Sequence, residues 1–189
     1  QAHPADLGVV NGCYFAETLS FGLDAAIALD TMDRRQKSGR AGTMLYLESA
    51  VDQLFHHLQV FSFKMDVLGA EPGCAPHPEW DDAYLVAVQV GPTYGGHFRI
   101  TPKARLDDGL LDICWATPEL SSMRALALLL RARGGKHTGS DHIHFRRASS
   151  LVLDFEEEPP AQMDGEPVRG THFLIDCVPD ALTVIVGQR

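Results

Sequence analysis

The sequence predicts a mainly β fold, a β-sandwich with a few inserted or appended helices. Short apolar stretches alternate with turn signals about every 8–12 residues, the spacing of sandwiches and barrels. Asn11-Gly12 and Asp164-Gly165 are favoured hairpin pairs set between apolar runs. Helical periodicity is confined to a few segments. With 189 residues the chain has material for one good core.

In chain order, residues 7–15 (LGVVNGCYF) read as a strand with a turn or bulge at Asn11-Gly12. Residues 21–35 (FGLDAAIALDTMDRR) read as a helix. The loop 37–43 is glycine-rich and polar but lacks the spacing of a phosphate-binding loop. In the helix 44–58, Leu47, Val51, Leu54, Phe55 and Leu58 form one apolar stripe, expected to pack on the sheet. Residues 60–67 alternate as a strand, and 69–82, with three prolines and two glycines, read as a loop. Strands follow at 83–90 and 97–102, with a turn at 91–96 between them, and then at 110–116. Thr117-Pro118-Glu119 has the composition of a helix start, and that helix runs to about Arg133 before Gly134-Gly135. Segments 141–148, 150–155, 161–163, 171–177 and 181–187 read as short strands, with an acidic loop at 156–160.

Composition excludes several classes. The chain is 45% hydrophobic and 22% charged, ordinary for a soluble globular protein, and has no apolar run long enough for a membrane span. A net charge of −9 argues against nucleic acid as partner, because phosphate neutralisation supplies most of that affinity. It equally argues against steady attachment to anionic membranes. Arg131, Arg133 and Lys136 close a predicted helix, where cations suit the dipole. Cys13, Cys74, Cys114 and Cys177 form no C-x-x-C pair and read as buried free thiols, which points to the cytoplasm.

Three groups of residues carry candidate chemistry. Asp164-Gly165-Glu166 places two carboxylates across a glycine, an arrangement for general-base work or for a hard cation; a solvated turn is the plain alternative. Asp107-Asp108-Gly109 makes a tight turn whose carboxylates and carbonyls suit Mg²⁺ or Ca²⁺; a plain hairpin is again the alternative. His142 and His144 alternate on a predicted strand, but two histidines do not make a zinc site. His137 sits in a loop with no evident partner. No G-x-S-x-G or H-E-x-x-H pattern occurs.

Four stretches in order, DLGVVNGCYFAETLSFGLDAAIA, YGGHFRITPKARLDDGLLDICWA, RGGKH and QMDGEPV, resemble the C-terminal half of the bacterial diacylglycerol kinase and sphingosine kinase-like lipid kinase family. The resemblance runs from about Asp6 to the end. It implies a β-sandwich domain with helical additions, paired in the whole enzyme with an N-terminal nucleotide-binding domain of the same polypeptide that binds ATP. No ATP signature is present and the first residue is Gln1, so a domain fragment is expected, inactive alone.

The resemblance further implies that Glu166 is the general base on a lipid hydroxyl, with Asp164 beside it orienting water or Mg²⁺. It implies a structural Mg²⁺ site made by the Asp108 carboxylate and the main-chain carbonyls of Arg105 and Leu110, with Asp107 reaching toward the active site. The substrate would be a lipid such as diacylglycerol at the membrane surface, met by a cytoplasmic enzyme transiently peripheral to it. Exposed strand edges allow pairing into a homodimer. Gly91, His97 and the polar run FAETLSFG depart from the family pattern and bear on substrate choice. Two rivals remain: an NAD kinase-like domain, and a non-catalytic lipid-binding or regulatory sandwich.

Overall fold

The computed structural model describes residues 2–68, 77–94 and 98–185. Cys74, most of the proline-rich loop, Gly95, Gly96 and His97 lie outside the described residues. The elements are β1 (Ala2–Val10), β2 (Cys13–Phe15), β3 (Thr18–Gly22), α1 (Leu23–Ser38), α2 (Thr43–His56), β4 (Phe61–Val67), β5 (His77–Ala83), β6 (Leu85–Gln89), β7 (Leu111–Ala116), α3 (Ser122–Ala132), β8 (Ile143–Ala148), β9 (Ser150–Phe155), β10 (Ala161–Met163), β11 (Glu166–Val168) and β12 (His172–Ile185).

These strands form two six-stranded antiparallel sheets, in the orders β2-β1-β12-β9-β4-β5 and β11-β10-β3-β6-β7-β8. Phe63, Met65, Leu151, Leu153, Phe173 and Ile175 of the first sheet face Leu19, Phe21, Val86, Val88, Ile113 and Trp115 of the second. Phe21 bridges the sheets, its ring centroid 4.8 Å from both Phe155 and Phe173. A mainly β sandwich with helical additions is therefore what the chain forms.

The two sheets are not equivalent. In β9 and β12 buried residues alternate with more exposed ones, so the first sheet has a solvent face. In β3 and β7 every residue is buried, because a second apolar cluster covers the outer face: Ala87 and Cys114 from strands, Tyr94, Phe98 and Ile100 from the loop between β6 and β7, and Ala132 from α3. Gly22 joins β3 to α1 at a φ of 74°, and a side chain there would meet the Tyr84 carbonyl oxygen at 2.4 Å. Only glycine makes that turn, and it brings Asp24 onto the covered face.

Several expectations need correcting. The predicted loop 69–82 gives way at His77 to β5; Pro78 is tolerated because β5 is an edge strand. Of the predicted strand 97–102, the described residues 98–102 form none: Tyr94 and Phe98 make one isolated bridge, and Thr101 donates its hydroxyl to the Gly91 carbonyl at 3.0 Å. The third helix starts at Ser122, not at Thr117. Thr117 still donates its N–H to the His142 carbonyl at 3.0 Å, and Ser121 accepts the Arg124 N–H as cap.

The two predicted C-terminal strands are one strand, β12, which passes Pro179-Asp180 at an irregularity opposite Ala5 and Leu7 of β1. In α2 the buried residues are Leu45, Ser49, Ala50 and Leu54. Val51 and Phe55 of the expected stripe are 38% and 44% exposed, because α2 packs mainly on α1 rather than on the sheet. Of the cysteines, Cys114 is buried and Cys177 half-buried, but Cys13 is exposed. Burial pushes the Cys177 thiol up to about 12 and the Cys114 thiol further. Among the described residues no helix is long and apolar enough to cross a membrane.

Candidate functional site

The strands β10 and β11 form a hairpin whose closing pair is Met163 and Glu166. Asp164 and Gly165 occupy the turn with φ of 48° and 93°, the two positive values of a type I′ turn. The turn is braced from within: Gly165 donates its N–H to Gln162 Oε1 at 2.7 Å, and the buried Gln162 amide donates to Ser20 Oγ at 2.7 Å.

The two acids of the turn have different surroundings. Asp164 Oδ2 accepts the N–H of Ala16 at 2.6 Å, and its Oδ1 accepts those of Glu17 and Thr18 at 3.0 and 2.9 Å. Three backbone donors take most of this carboxylate's acceptor capacity and fix it to residues 16–18. The Glu166 carboxylate is exposed and takes no hydrogen bond or ion pair from the described residues. Of the pair, Glu166 is the one available to a substrate.

The loop 105–110 lies at the same end of the second sheet. Asp108 Oδ1 accepts the Leu110 N–H at 3.2 Å, and its Oδ2 is held by the Arg147 guanidinium. Arg147 Nε is also 3.5 Å from Asp112 Oδ1. On the other side Asp6, buried in β1, accepts the Gly109 N–H at 2.8 Å and the Asp180 N–H at 2.9 Å; its own N–H donates to the Leu106 carbonyl at 2.7 Å. Arg105 reaches Asp107 at 3.3 Å in an exposed pair. The donor set at Asp108 therefore does not fit the expected Mg²⁺ ligation by Asp108, Arg105 and Leu110: both carboxylate oxygens already have protein donors, one of them a cation.

A polar row joins the two acidic segments. Thr18 lies opposite Gln89, Gln89 opposite Asp112, and Asp112 opposite Arg147, so all four project from one face. The Gln89 amide donates to Thr18 Oγ1 at 2.6 Å. Asp164, bonded to Thr18, ends the row at one edge of the sheet; Arg147 ends it on β8 at the other.

Farther along the same face is a mostly apolar cavity of about 60 Å³, several times the roughly 10–15 Å³ one water needs. Ala87 and Cys114 floor it; α1 gives Leu23, Asp24 and Ile27; α3 gives Ala125, Leu128 and Leu129. Asp24 is buried, and its Oδ2 has no partner among the described residues. Burial raises its carboxyl to about 6, against a smaller lowering by the Ser20 hydrogen bond. Ser20, two residues from Thr18 on β3, thus links Asp24 to the polar row, whereas Glu166 pairs with Met163 and, through it, lines up with Leu19 on the core-facing side of the sheet.

The histidines take other roles. His137 is buried beside the cavity, its Nε2 donating to the Ile100 carbonyl at 2.9 Å; burial lowers its pKa, which favours the neutral ring. His144 stacks on Trp115 with ring centroids 5.2 Å apart, and His142 precedes β8, 3.9 Å from Glu119. Among the described residues no group of three or more His, Cys, Asp or Glu side chains is gathered for a metal ion.

Three features missed in the sequence stand out. Polar Gln89 and Asp112 within apolar strands, and an acid at Asp6 within β1, were visible signals. Arg147 had only its strand position to distinguish it.

The architecture is thus a two-sheet antiparallel sandwich, helix-covered on one face and carrying an acid hairpin at a sheet edge. The chain belongs to the YegS C-terminal NAD kinase beta sandwich-like domain family, whose model matches residues 17–186. A Pseudomonas aeruginosa (strain UCBPP-PA14) protein named "Probable lipid kinase YegS-like" is 27% identical over 185 residues, covering 97% of this chain and 56% of the relative. One of the same name from Xanthomonas axonopodis pv. citri (strain 306) is 33% identical over 110 residues, 57% of this chain and 35% of the relative. A crystal structure of a diacylglycerol kinase from Bacillus anthracis str. Sterne superposes with a TM-score of 0.64 at 19% identity, over 97% of this chain and 53% of that one; at that identity the likeness is one of fold. The chain spans about half the length of the relatives it matches over most of its own.

Proposed function

We propose that this chain is the acceptor-side domain of an ATP-dependent lipid kinase, with Glu166 as general base on the hydroxyl of a lipid such as diacylglycerol. The observation that carries the reading is the exposed Glu166 carboxylate, without a partner among the described residues and held on a braced hairpin, in a sheet whose helix-covered face holds an apolar cavity. A pocket of that composition suits a hydrocarbon chain, and the unpartnered oxygen of Asp24 gives it one acceptor for a polar group of the headgroup.

An alcohol is a weak nucleophile, and a positioned base contributes roughly 10²–10⁴-fold by taking its proton as the new P–O bond forms. Glu166 has the exposure and the uncommitted carboxylate for this. Asp164 is a positioning residue, fixing the hairpin to residues 16–18. ATP would be bound mainly by a nucleotide-binding domain of the same polypeptide, and Mg²⁺ accompanying its phosphates would neutralise their charge. Names of relatives support this reading, as does the absence of a nucleotide-binding glycine motif from these residues.

The test is ATP-dependent phosphate transfer to a panel of lipid alcohols and to NAD, using this chain, the full-length parent and the parent with Glu166→Ala. Lipid phosphorylation by the parent alone, reduced roughly 10²–10⁴-fold by the substitution, is expected. Equal activity in parent and variant would remove Glu166 from the chemistry. Transfer to NAD instead of lipid would replace the acceptor class.

A further inference from the structure

We propose that Arg147 is the resident cation of the 105–110 loop, so that a guanidinium rather than a divalent metal ion holds this loop in place. This rests on the donor set around Asp108 and is independent of which acceptor the enzyme uses.

Asp108 of the loop and Asp112 of β7 both lie within reach of one side chain, Arg147. Two such charges at low exposure repel unless a cation lies between them. Arg147 is that cation. Its Nη2 holds Asp108 Oδ2 while its Nε lies 3.5 Å from Asp112 Oδ1, and the three side chains are 27%, 19% and 8% exposed respectively. A planar fork spanning two carboxylates is arginine geometry, which a lysine ammonium does not reproduce. The strand register makes this arrangement part of the fold: Arg147 is the cross-strand partner of Asp112 in β7–β8.

Three further groups of the loop are engaged from within the chain. Asp108 Oδ1 takes the Leu110 N–H, Asp6 takes the Gly109 N–H, and the Leu106 carbonyl takes the Asp6 N–H. Mg²⁺ requires a near-octahedral oxygen shell at about 2.0–2.1 Å. To enter, it would have to displace Arg147 from Asp108 and would then stand beside a guanidinium. One positive group does the work of the other, and the covalently attached one is held at the site by the β7–β8 register.

The experiment has two parts. The first is titration calorimetry of the chain with MgCl₂, without nucleotide, together with melting curves in EDTA and in millimolar MgCl₂. No saturable heat and an unchanged melting temperature are expected. Saturable binding that disappears in Asp108→Asn would overturn the proposal. The second is melting of Arg147→Gln and Arg147→Lys in EDTA. Arg147→Gln is expected to melt roughly 5–10 °C lower, and Arg147→Lys to recover only part of the loss. An Arg147→Gln melting temperature equal to wild type would equally overturn it. If Arg147→Gln fails to fold, the wild-type titration alone decides.

Discussion

Asp164 accepts the backbone N–H of Ala16 at 2.6 Å, across 148 residues of sequence. That bond, with those from Glu17 and Thr18, ties an edge hairpin to the start of β3. Hydrogen bonds to a charged acceptor contribute about 1.5–3 kcal/mol each when well formed, and less where solvent competes. Asp164→Ala is expected to destabilise the chain by about 2 kcal/mol in urea melts, and Asp164→Asn by less, because its amide keeps one acceptor oxygen. In the parent's kinase assay Asp164→Ala should lower kcat and Asp164→Asn should recover part of the loss, as a positioning role requires. Equal loss in both variants would instead make the Asp164 charge itself the operative feature.

Gly165 has a φ of 93°, and a methyl group built on it would lie 3.7 Å from Met32 Sδ, an ordinary contact. The space is therefore available and only the backbone objects. Gly165→Ala should cost about 1–2 kcal/mol from the left-handed conformation alone. A much larger loss would mean that Met32 cannot give way, and a structure of the variant would show it displaced.

The fold was legible where each residue's neighbours decide its conformation. Alternation in 60–67 marked a strand, the short apolar run 150–155 marked another, and Asp164-Gly165 marked its own turn. Reading failed where distant packing decides. Pro78 looked like a loop residue until β5 proved to be an edge. Pro179-Asp180 looked like a turn because nothing local shows that Asp6 accepts the Asp180 N–H and carries the strand through. The stripe on α2 was a true periodicity assigned to the wrong partner. In the site, the D-G-E turn was legible as a turn with two acids, but its division of labour was not: the three donors that engage Asp164 lie 146–148 residues away. Arg147 stands 39 residues from Asp108 and acquires its role only through strand register.

The cavity makes a prediction about chain length. Ala125 lines it from α3, so Ala125→Leu fills space without cutting a hydrogen bond. In the parent this variant should fold normally and lose roughly tenfold or more of kcat/KM on a long-chain acceptor, with a smaller loss on a short-chain one. Equal losses on both would place the hydrocarbon elsewhere.

Asp24 gives the sharpest pH prediction. Its carboxyl moves from 3.8 to about 6 on folding, chiefly by burial. The folded chain therefore binds a proton that the unfolded chain has released between pH 4 and 6. Stability contributed by this group falls as pH rises through that window and is level above it, by about 3 kcal/mol in all. Asp24→Asn keeps the shape and removes the titration, so the wild-type-minus-variant difference in unfolding free energy should decline from pH 4 to pH 6 and then stay flat. Subtraction is needed because other carboxylates titrate in the same range. Tyr46 and Cys114, whose groups burial and the Asp24 charge both push up, stay neutral throughout and add no slope. A natural chain retaining a destabilising buried acid points to use of that acid; the same Asp24→Asn variant, more stable at pH 7, should be impaired in lipid phosphorylation. A difference curve that rises with pH would reverse the sign and place Asp24 in a site that stabilises its charge.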